Sequence, residues 1–472
     1  MPPKKLPTDF DQYYTYEQMT EFLQLAAEKY PKLCKLTEAG RSYEGRTIWV
    51  LEITDTRTGD FADKPAYYIE ANIHASEVCG ELVCRWLIWR LLTGHADDSA
   101  IKDLLRGRTF YVLPRIAVDG ADICLTTPER MRSSVRPYPY DEEQPGLYPD
   151  DINNDGRILS MRMKDPCGSW KVSDRDPRMM VKRRPHEVDG EFYRVLPEGR
   201  IRDWDGHTIK LAPSKWGLDL NRNYPHDWGV ESEQSGAGPM PLSEPETRAC
   251  ADFIIGHPNI CGIQSLHLTS GVILRPYCGK NDETFPTQDL ETYELLGKIG
   301  TELTGYPCVS IYHGFRYDPK RMIRGGFLDW AYEDLGLFTF STELWDAFKT
   351  AGIEDRDIIK FLMYERDPED ELKLLKWSDE ELDGAGFMEW TEFEHPQLGA
   401  VEIGGWDYRA VWGSPPPQFR KEIAEQNGEF AIAHAQASPL VQIDDLRSEK
   451  LAPGVHRVSC MVRNYGFLST AV

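Results

Sequence analysis

The sequence predicts an α/β fold with a mixed, mostly parallel central sheet and helices on both faces. Three observations support this fold class. Short apolar runs recur along the chain, segments of helical periodicity separate them, and residues 77–93 are apolar nearly all round, as in a helix packed between a sheet and other elements. Strands that alternate with helices favour parallel pairing, because each helix can carry the chain back across the sheet.

The elements follow in chain order from local patterns. Thr15 and Gln18 form a capping box before an apolar repeat of helical spacing, which predicts a helix over 16–30. Apolar and β-branched runs predict strands at 47–53, 66–73, 109–116, 261–268 and 337–344. Helical periodicity predicts further helices at 243–256, 286–303 and 418–435.

Two segments interrupt this alternation. Residues 137–212 are rich in Pro, Gly, Asp and Arg with little periodicity, which predicts a long insertion over the surface. A charged elaboration occupies about 350–390. We expect one main domain over 1–436 and a short C-terminal β tail over 437–472, in which 454–472 forms a strand pair. Because a lone hairpin is rarely stable, the tail either packs on the main domain or begins a truncated β-sandwich module.

Composition argues against several kinds of partner. The formal net charge of −23 opposes general attraction to nucleic acid or anionic lipid. The opening stretch MPPKKLPTDFDQYY lacks the apolar segment of a secretory signal, and no window reaches the ~18 apolar residues of a membrane span. We therefore expect no nucleic-acid partner, no membrane partner and a cytoplasmic location.

The cysteines favour buried thiols. Ten cysteines are scattered along the chain without a CxxC pair, and those at 79, 84, 250 and 261 lie in apolar segments. Disulfides or a thiolate metal site are the less favoured alternatives.

An imidazole and a carboxylate follow the predicted strand 66–73, at the end where ligands gather in open α/β sheets. His74 and Glu77 are three residues apart, which suits a zinc ion bound by both. This spacing also occurs by chance, and a structural histidine beside a solvated glutamate is the alternative. His267, inside the predicted strand 261–268, would be the third ligand, and two histidines with one glutamate make a hydrolytic zinc shell with an open position.

Two further patterns carry chemistry. Glu343 ends the predicted strand 337–344 and is either a buried structural acid or a general base for water activated by the metal. Asn221 and Arg222 place an amide beside a planar guanidinium, a pair suited to gripping a carboxylate.

Several segments together resemble the zinc carboxypeptidases of the carboxypeptidase A-like (funnelin) type. The resemblance covers roughly 10–136 and 213–436. It begins with YYTYEQMTEFLQLAAEKYP and GRSYEGRTIWVLEI and continues, in the family's order, through HASE (74–77), GLDLNRNY (217–224), GPMPLSEPET (238–247), SLHLTSG (265–271), GGFLDWAYEDLG (325–336) and FTFSTEL (338–344).

The resemblance implies roles for the residues that match. The zinc ligands would be His74, Glu77 and His267. Glu343 would be the general base that takes a proton from water and passes it to the leaving amine. Asp219 is similar to the acid that orients the first zinc histidine.

Substrate contacts are implied in the same way. Asn221 and Arg222 look like the clamp on the substrate's terminal carboxylate. Arg132 resembles the arginine that steadies the developing oxyanion, although Arg130 and Arg136 lie close by.

The chain also departs from the family pattern. Arg321 stands where the family places a substrate-capping tyrosine, with Tyr312 and Tyr317 upstream as substitutes, and Ser76 replaces a frequent arginine. Leu328 resembles the specificity-pocket residue, and its apolar side chain argues against preference for a basic terminal residue. Arg321 or Arg324 could instead favour an acidic one.

The insertion carries a motif of its own. Asp151, Asn153 and Asp155 alternate before Gly156, as in calcium loops, but an EF-hand needs glutamate where Arg162 stands. Calcium binding and an Asx-rich turn are the two interpretations. The insertion should also line or narrow the substrate cleft.

These observations lead to a hypothesis of a zinc-dependent metallocarboxypeptidase, with Zn²⁺ as cofactor and a peptide with a free C-terminal carboxylate as partner. One alternative is a related zinc amidase acting on muropeptides or isopeptide-linked tails. Another is a catalytically inactive calcium-binding module.

Overall fold

The structure, a computed structural model, describes residues 6–318, 320–354, 359 and 366–470. Part of the predicted charged elaboration, at 355–358 and 360–365, lies outside the described residues. The longer helices are α1 (Tyr16–Lys29), α2 (Cys79–Asp97), α3 (Ser99–Gly107), α4 (Val118–Thr126), α5 (Pro245–Gly256), α6 (Thr287–Thr304), Pro368–Glu381 and Pro417–Gln436. Shorter helical turns span Thr56–Thr58, Phe61–Asp63, Leu220–Arg222, Asp282–Thr284, Ile311–Gly314, Phe327–Asp329, Trp330–Asp334, Ala347–Thr350 and Tyr408–Val411. Among the described helices, none has the length and apolarity that a bilayer crossing needs.

The strands of the described residues form four sheets. In chain order they are β1 (Cys34–Arg41), β2 (Thr47–Ile53), β3 (Ala66–Ala71), β4 (Thr109–Leu113), β5 (Gly146–Pro149), β6 (Ser160–Lys164), β7 (Trp170–Val172), β8 (Met180–Lys182), β9 (Tyr193–Pro197), β10 (Gly199–Arg202), β11 (Ile260–Leu268), β12 (Val272–Arg275), β13 (Cys308–Ser310), β14 (Phe338–Leu344), β15 (Phe387–His395), β16 (Gly399–Trp406), β17 (Val441–Ala452) and β18 (Val455–Asn464).

Eight strands form the central sheet in the order β1-β2-β4-β3-β11-β14-β12-β13. The pairs β4–β3, β3–β11, β11–β14 and β12–β13 are parallel, and the remaining pairs are antiparallel. This confirms the predicted mixed, mostly parallel sheet.

Alternate residues of one central strand enter two different cores. On β3, Tyr67 and Ile69 pack in the cluster that contains α2 and the helix Pro417–Gln436, whereas Tyr68 packs in the cluster that contains α5. Helices therefore cover both faces of the sheet, as a buried parallel sheet requires.

The predicted elements of the central domain are present, with ends that differ from the prediction by four residues at most. The difference after β3 has a clear cause. Asn72 takes a left-handed conformation with φ 64° and ends the strand, while its side-chain amide donates to the carbonyl oxygens of His74 and Ala75. Asparagine tolerates the left-handed conformation better than most residues with a Cβ, so the chain can turn here with little backbone strain.

The insertion is more than a surface loop. Its strands β6, β7, β8 and β9 join β15 and β16 in a six-stranded sheet, with Arg162 bidentate on Glu402 across the β6–β16 pair. A separate apolar core, which includes Leu147, Met161 and Ile403, packs under this sheet. These strands are short and their partners are distant in sequence, so local patterns did not predict them.

The predicted strand pair at 454–472 is wrong in its bounds. The C-terminal hairpin pairs β17 with β18 and therefore begins at Val441. A register shift between Asp444 and Arg447, with Asp445 at φ 50°, interrupts the alternation of β17 and hides it in the sequence. The division of domains at 436/437 stays a prediction.

The contact of α2 with the sheet tolerates no added side chain at Gly80. A Cβ there would lie 2.8 Å from Cβ of Ala71 and 3.0 Å from Cβ of Leu266. We expect Gly80→Ala to lower the free energy of unfolding by about 1–3 kcal/mol through overpacking. At Gly107, the last residue of α3, an added Cβ meets nothing within 4 Å. The control Gly107→Ala should not destabilise, and equal urea midpoints for the two variants would contradict the prediction.

Candidate metal centre and substrate pocket

Three donor side chains meet at the C-terminal ends of the parallel strands. His74 and Glu77 follow β3, just before α2 begins, and His267 lies on β11. One ligand atom from each of them lies within 4.8 Å of the others, and all three residues are buried. Segments nearly 200 residues apart in sequence therefore bring their donors to one point.

The donor geometry fits a zinc ion. The Nδ1 atoms of His74 and His267 are 3.3 Å apart, and Glu77 places its two oxygens 2.8 Å and 3.3 Å from them. A tetrahedral zinc ion with bonds of ~2.05 Å would hold two nitrogens about 3.3 Å apart. The Nδ1 atoms of His74 and His267 are this far apart, as expected for two nitrogens that bind one cation.

The outer ring nitrogens are held by neighbours. His74 Nε2 lies 3.1 Å from Asp219 Oδ1, and His267 Nε2 lies 3.2 Å from Ser265 Oγ. Hydrogen bonds donated from Nε2 leave the Nδ1 lone pairs directed at the site. The Ser265 hydroxyl in turn donates to Glu70, 3.2 Å away.

Glu343 stands beside the donors. It pairs in register with His267 on the neighbouring strand β14 and lines the pocket next to them. Burial raises the pKa of its carboxyl to about 8, against the lowering effect of His267. A carboxylate of raised pKa is suited to accept a proton near neutral pH.

The same pocket contains the proposed carboxylate clamp. Asn221 and Arg222 both line it, and Arg222 is buried. The Asn221 side-chain oxygen accepts the N–H of Phe327, and Arg222 donates to the carbonyl oxygen of Asn221. Within the described part of the chain Arg222 forms no ion pair with a carboxylate, so its charge is available to an anion in the pocket.

Of the three arginines considered, the structure places Arg132 at the donors. Its guanidinium contacts Asp219 at 2.9 Å and Glu77 at 3.4 Å. Arg136 is paired with the buried Glu244, and Arg130 stacks 3.8 Å from the ring centroid of Tyr408.

Of the residues at or near the capping position, Tyr317 lies at the pocket, whereas Tyr312 and Arg321 do not. Tyr317 lines the pocket, and burial together with the charge of Glu343 raises its pKa to about 12. Tyr312 does not line this pocket. The Arg321 side chain is 82% exposed near Asp318, and Arg324 pairs with Asp227. Neither arginine reaches the pocket, whereas Leu328 lines it.

The loop of the insertion forms the Asx-rich turn. Asp151 accepts the N–H groups of Asp155 and Gly156, Asn153 shares the N–H of Asp155, and Asp155 accepts the N–H of Arg157. The side-chain oxygens are thus used by the backbone. Apart from the zinc donors, no trio of described side chains gathers as a metal site would, and the calcium interpretation finds no support.

Sequence reasoning missed three residues around the site. Ser265 and Glu70 continue the contacts of His267, and Ser265 could have been found because positions two apart share a face of a strand. Tyr408 had no local signal. Burial raises the pKa of its phenol, and its ring lies 3.8 Å from the guanidinium of Arg130, two residues before Arg132.

The comparisons agree with this geometry. A family model described as zinc carboxypeptidase matches residues 19–365. Carboxypeptidase A6 of Mus musculus is 24% identical over 345 residues, covering 72% of this chain and 61% of that protein. Carboxypeptidase B2 of Homo sapiens is 25% identical over 358 residues, covering 73% of this chain and 65% of that protein. The chain thus spans less than two thirds of both relatives.

A solved structure shows the same fold. The crystal structure of the carboxypeptidase A from Helicoverpa armigera superimposes with a TM-score of 0.53 at 17% identity, covering 90% of this chain and 74% of that chain. At this identity the likeness concerns the fold alone.

The hydroxyl of Ser265 should strengthen zinc binding by fixing the ring of His267. We expect Ser265→Ala to weaken zinc affinity roughly 10-fold, as loss of an outer contact to a ligand typically does. Competition with a chromophoric chelator measures this. Ser459→Ala, on the exposed hairpin strand β18, is the matched control, and equal affinities for both variants would show that the contact has no such role.

Glu70 should make stability depend on pH. It is fully buried between Tyr68 and Ser265, and burial raises its pKa to about 8 from an ordinary value of 4.5. Between these values the folded state keeps a proton that the unfolded state releases, so stability falls as pH rises through this window.

We expect Glu70→Gln to remove this slope, which approaches ~1.4 kcal/mol per pH unit for one group. Urea unfolding at pH 5.5, 6.5 and 7.5 compares the variant with the wild type. The exposed Glu302→Gln serves as control. Parallel pH profiles for Glu70→Gln and the wild type would refute the assignment.

Proposed function

The chain belongs to the zinc carboxypeptidase family, and from this premise we propose that it hydrolyses the C-terminal residue from peptides. The observation that carries the proposal is the position of Arg222. A buried guanidinium without a carboxylate partner among the described residues lies in the pocket that also contains the converging donors and Glu343. A group of this kind measures the distance from a terminal carboxylate to the bond that is cut.

His74, Glu77 and His267 would hold the zinc ion. When bound there, zinc supplies Lewis-acid chemistry, which polarises the scissile carbonyl and favours ionisation of water near neutral pH. The buried imidazoles contribute nitrogen donors whose orientation is fixed by Asp219 and Ser265.

Glu343 transfers the proton. Its carboxylate accepts a proton from the attacking water and delivers it to the nitrogen of the leaving residue, so that the enzyme returns to its starting state. Arg132 lies at the edge of the donors, where its charge can stabilise negative charge that develops on the carbonyl oxygen. Tyr317 supplies an aromatic wall that can exclude water from the occupied pocket.

The pocket favours an apolar terminal side chain. Apolar side chains line it beside Arg222, namely those of Leu274, Ile311, Phe315, Ile323 and Leu328. An acidic preference through Arg321 or Arg324 has no support from their positions outside the pocket. The cytoplasmic location stays a prediction.

Arg222→Met tests the clamp. We expect kcat/KM for a peptide with a free carboxylate and a C-terminal leucine to fall roughly 100-fold or more, because an unpaired substrate charge would remain in a buried pocket. The C-terminally amidated peptide should be a poor substrate for the wild type, and the ratio between the two peptides should collapse in the variant.

Arg463→Met, on the exposed hairpin, is the matched control and should leave both rates unchanged. Equal cleavage of free and amidated peptides by the wild type would contradict carboxypeptidase action. Cleavage of muropeptides or isopeptide-linked tails, with no cleavage of simple peptides, would favour the amidase alternative.

A further inference from the structure

An open cavity of about 1100 Å³ lies between the insertion, the segment 128–130 and the residues 407–409. Its volume slightly exceeds the roughly 300–1,000 Å³ typical of ligand pockets, so it has room for several residues of a peptide. Most of its lining comes from the insertion.

The cavity adjoins the catalytic pocket. Arg130 lines the cavity and lies two residues before Arg132, whose guanidinium contacts Glu77. Tyr408 lines it as well, and its ring stacks on the guanidinium of Arg130. The cavity therefore begins close to the donors, on the side of Arg132.

Most charges in the cavity are already paired. Arg157 contacts Asp407 at 3.3 Å, Arg200 contacts Asp150 and Arg202 contacts Glu143, each at 2.5 Å. Asp155, which also lines the cavity, accepts backbone N–H groups within its own loop, and Arg409 donates to the carbonyl oxygens of Thr127 and Glu129. The three ion pairs leave little net charge for a ligand, and the opposite charges of Asp155 and Arg409 offset one another.

Two cations lack such partners. No carboxylate of the described chain lies within ion-pair distance of Arg130, which stacks on Tyr408, or of Lys215, whose ammonium is 5.9 Å from the ring centroid of Trp216. Among the described residues, Glu129 and Asp155 are the acids of the lining without an ion pair, and the charges of Asp150 and Lys215 act on Glu129 from farther away. The unpaired charge of the cavity is thus positive on balance, in a protein whose net charge is −23.

We propose that this cavity binds the residues on the N-terminal side of the scissile bond and selects peptides that carry acidic side chains there, through Arg130 and Lys215. The proposal rests on the proposed peptidase function and adds the substrate class. Tyr408 and Trp216 supply flat apolar surfaces on which the peptide can pack between the two charges.

The test uses two peptides with the same C-terminal leucine, one with glutamates and one with glutamines in the preceding positions. We expect the wild-type enzyme to prefer the glutamate peptide roughly 5- to 10-fold in kcat/KM, the size of effect that partly exposed ion pairs produce. Rising salt should reduce this preference because it screens exposed charges.

The double variant Arg130→Met with Lys215→Met should bring the ratio of the two rates close to 1. The variant Arg130→Lys with Lys215→Arg should keep most of the preference, since it retains both charges. Lys102→Met, which removes an exposed charge on α3 outside the cavity, should leave the ratio unchanged.

The outcomes separate this inference from the function on which it rests. Cleavage of both peptides at equal rates, or a preference that survives in the double methionine variant, overturns the cavity's role and leaves the peptidase function intact. Cleavage of neither peptide overturns both.

Discussion

The register of β11 between β3 and β14 is the constraint on which the site depends. Backbone hydrogen bonding places His267 beside Glu343 on one side, and on the other side it places Ser265 beside Glu70, close to where β3 ends at its turn. A shift by one residue would turn His267 to the opposite face of the sheet. The pairing of these three buried strands therefore fixes His267 relative to Glu343 and to the end of β3.

In the stretch GLDLNRNY, the carboxylate of Asp219 connects several functional residues. Asp219 faces His74 with one oxygen and Arg132 with the other, and it also accepts the N–H of Asn221. One side chain thus orients a zinc donor, holds the nearby cation and shapes the turn that presents Arg222. Because Asp219 makes all of these contacts, it lies within four positions of the clamp residues Asn221 and Arg222.

The sequence predicted five of the eight strands of the central sheet, including β3, β11 and β14, but not β1 or the short strands β12 and β13. Long apolar runs such as those of β3, β11 and β14 are local signals, and His74, Glu77, His267 and Glu343 stand at fixed places within them. The six-stranded sheet of the insertion was not predictable in this way, because β6 is only five residues long and pairs with β16 more than 200 residues later. Arg321 was misleading for a related reason: the sequence gives its position in a motif, but not the direction of a side chain on an irregular segment.

The pairing of β6 with β16 ties the insertion to a segment more than 200 residues later and gives the cavity wall a support of its own. The wall of the large cavity is held by this pair, by the bidentate contact of Arg162 with Glu402 and by a small apolar core of its own, whereas the donors belong to the central sheet. Substitutions within that small core can therefore reshape the cavity without touching the metal donors.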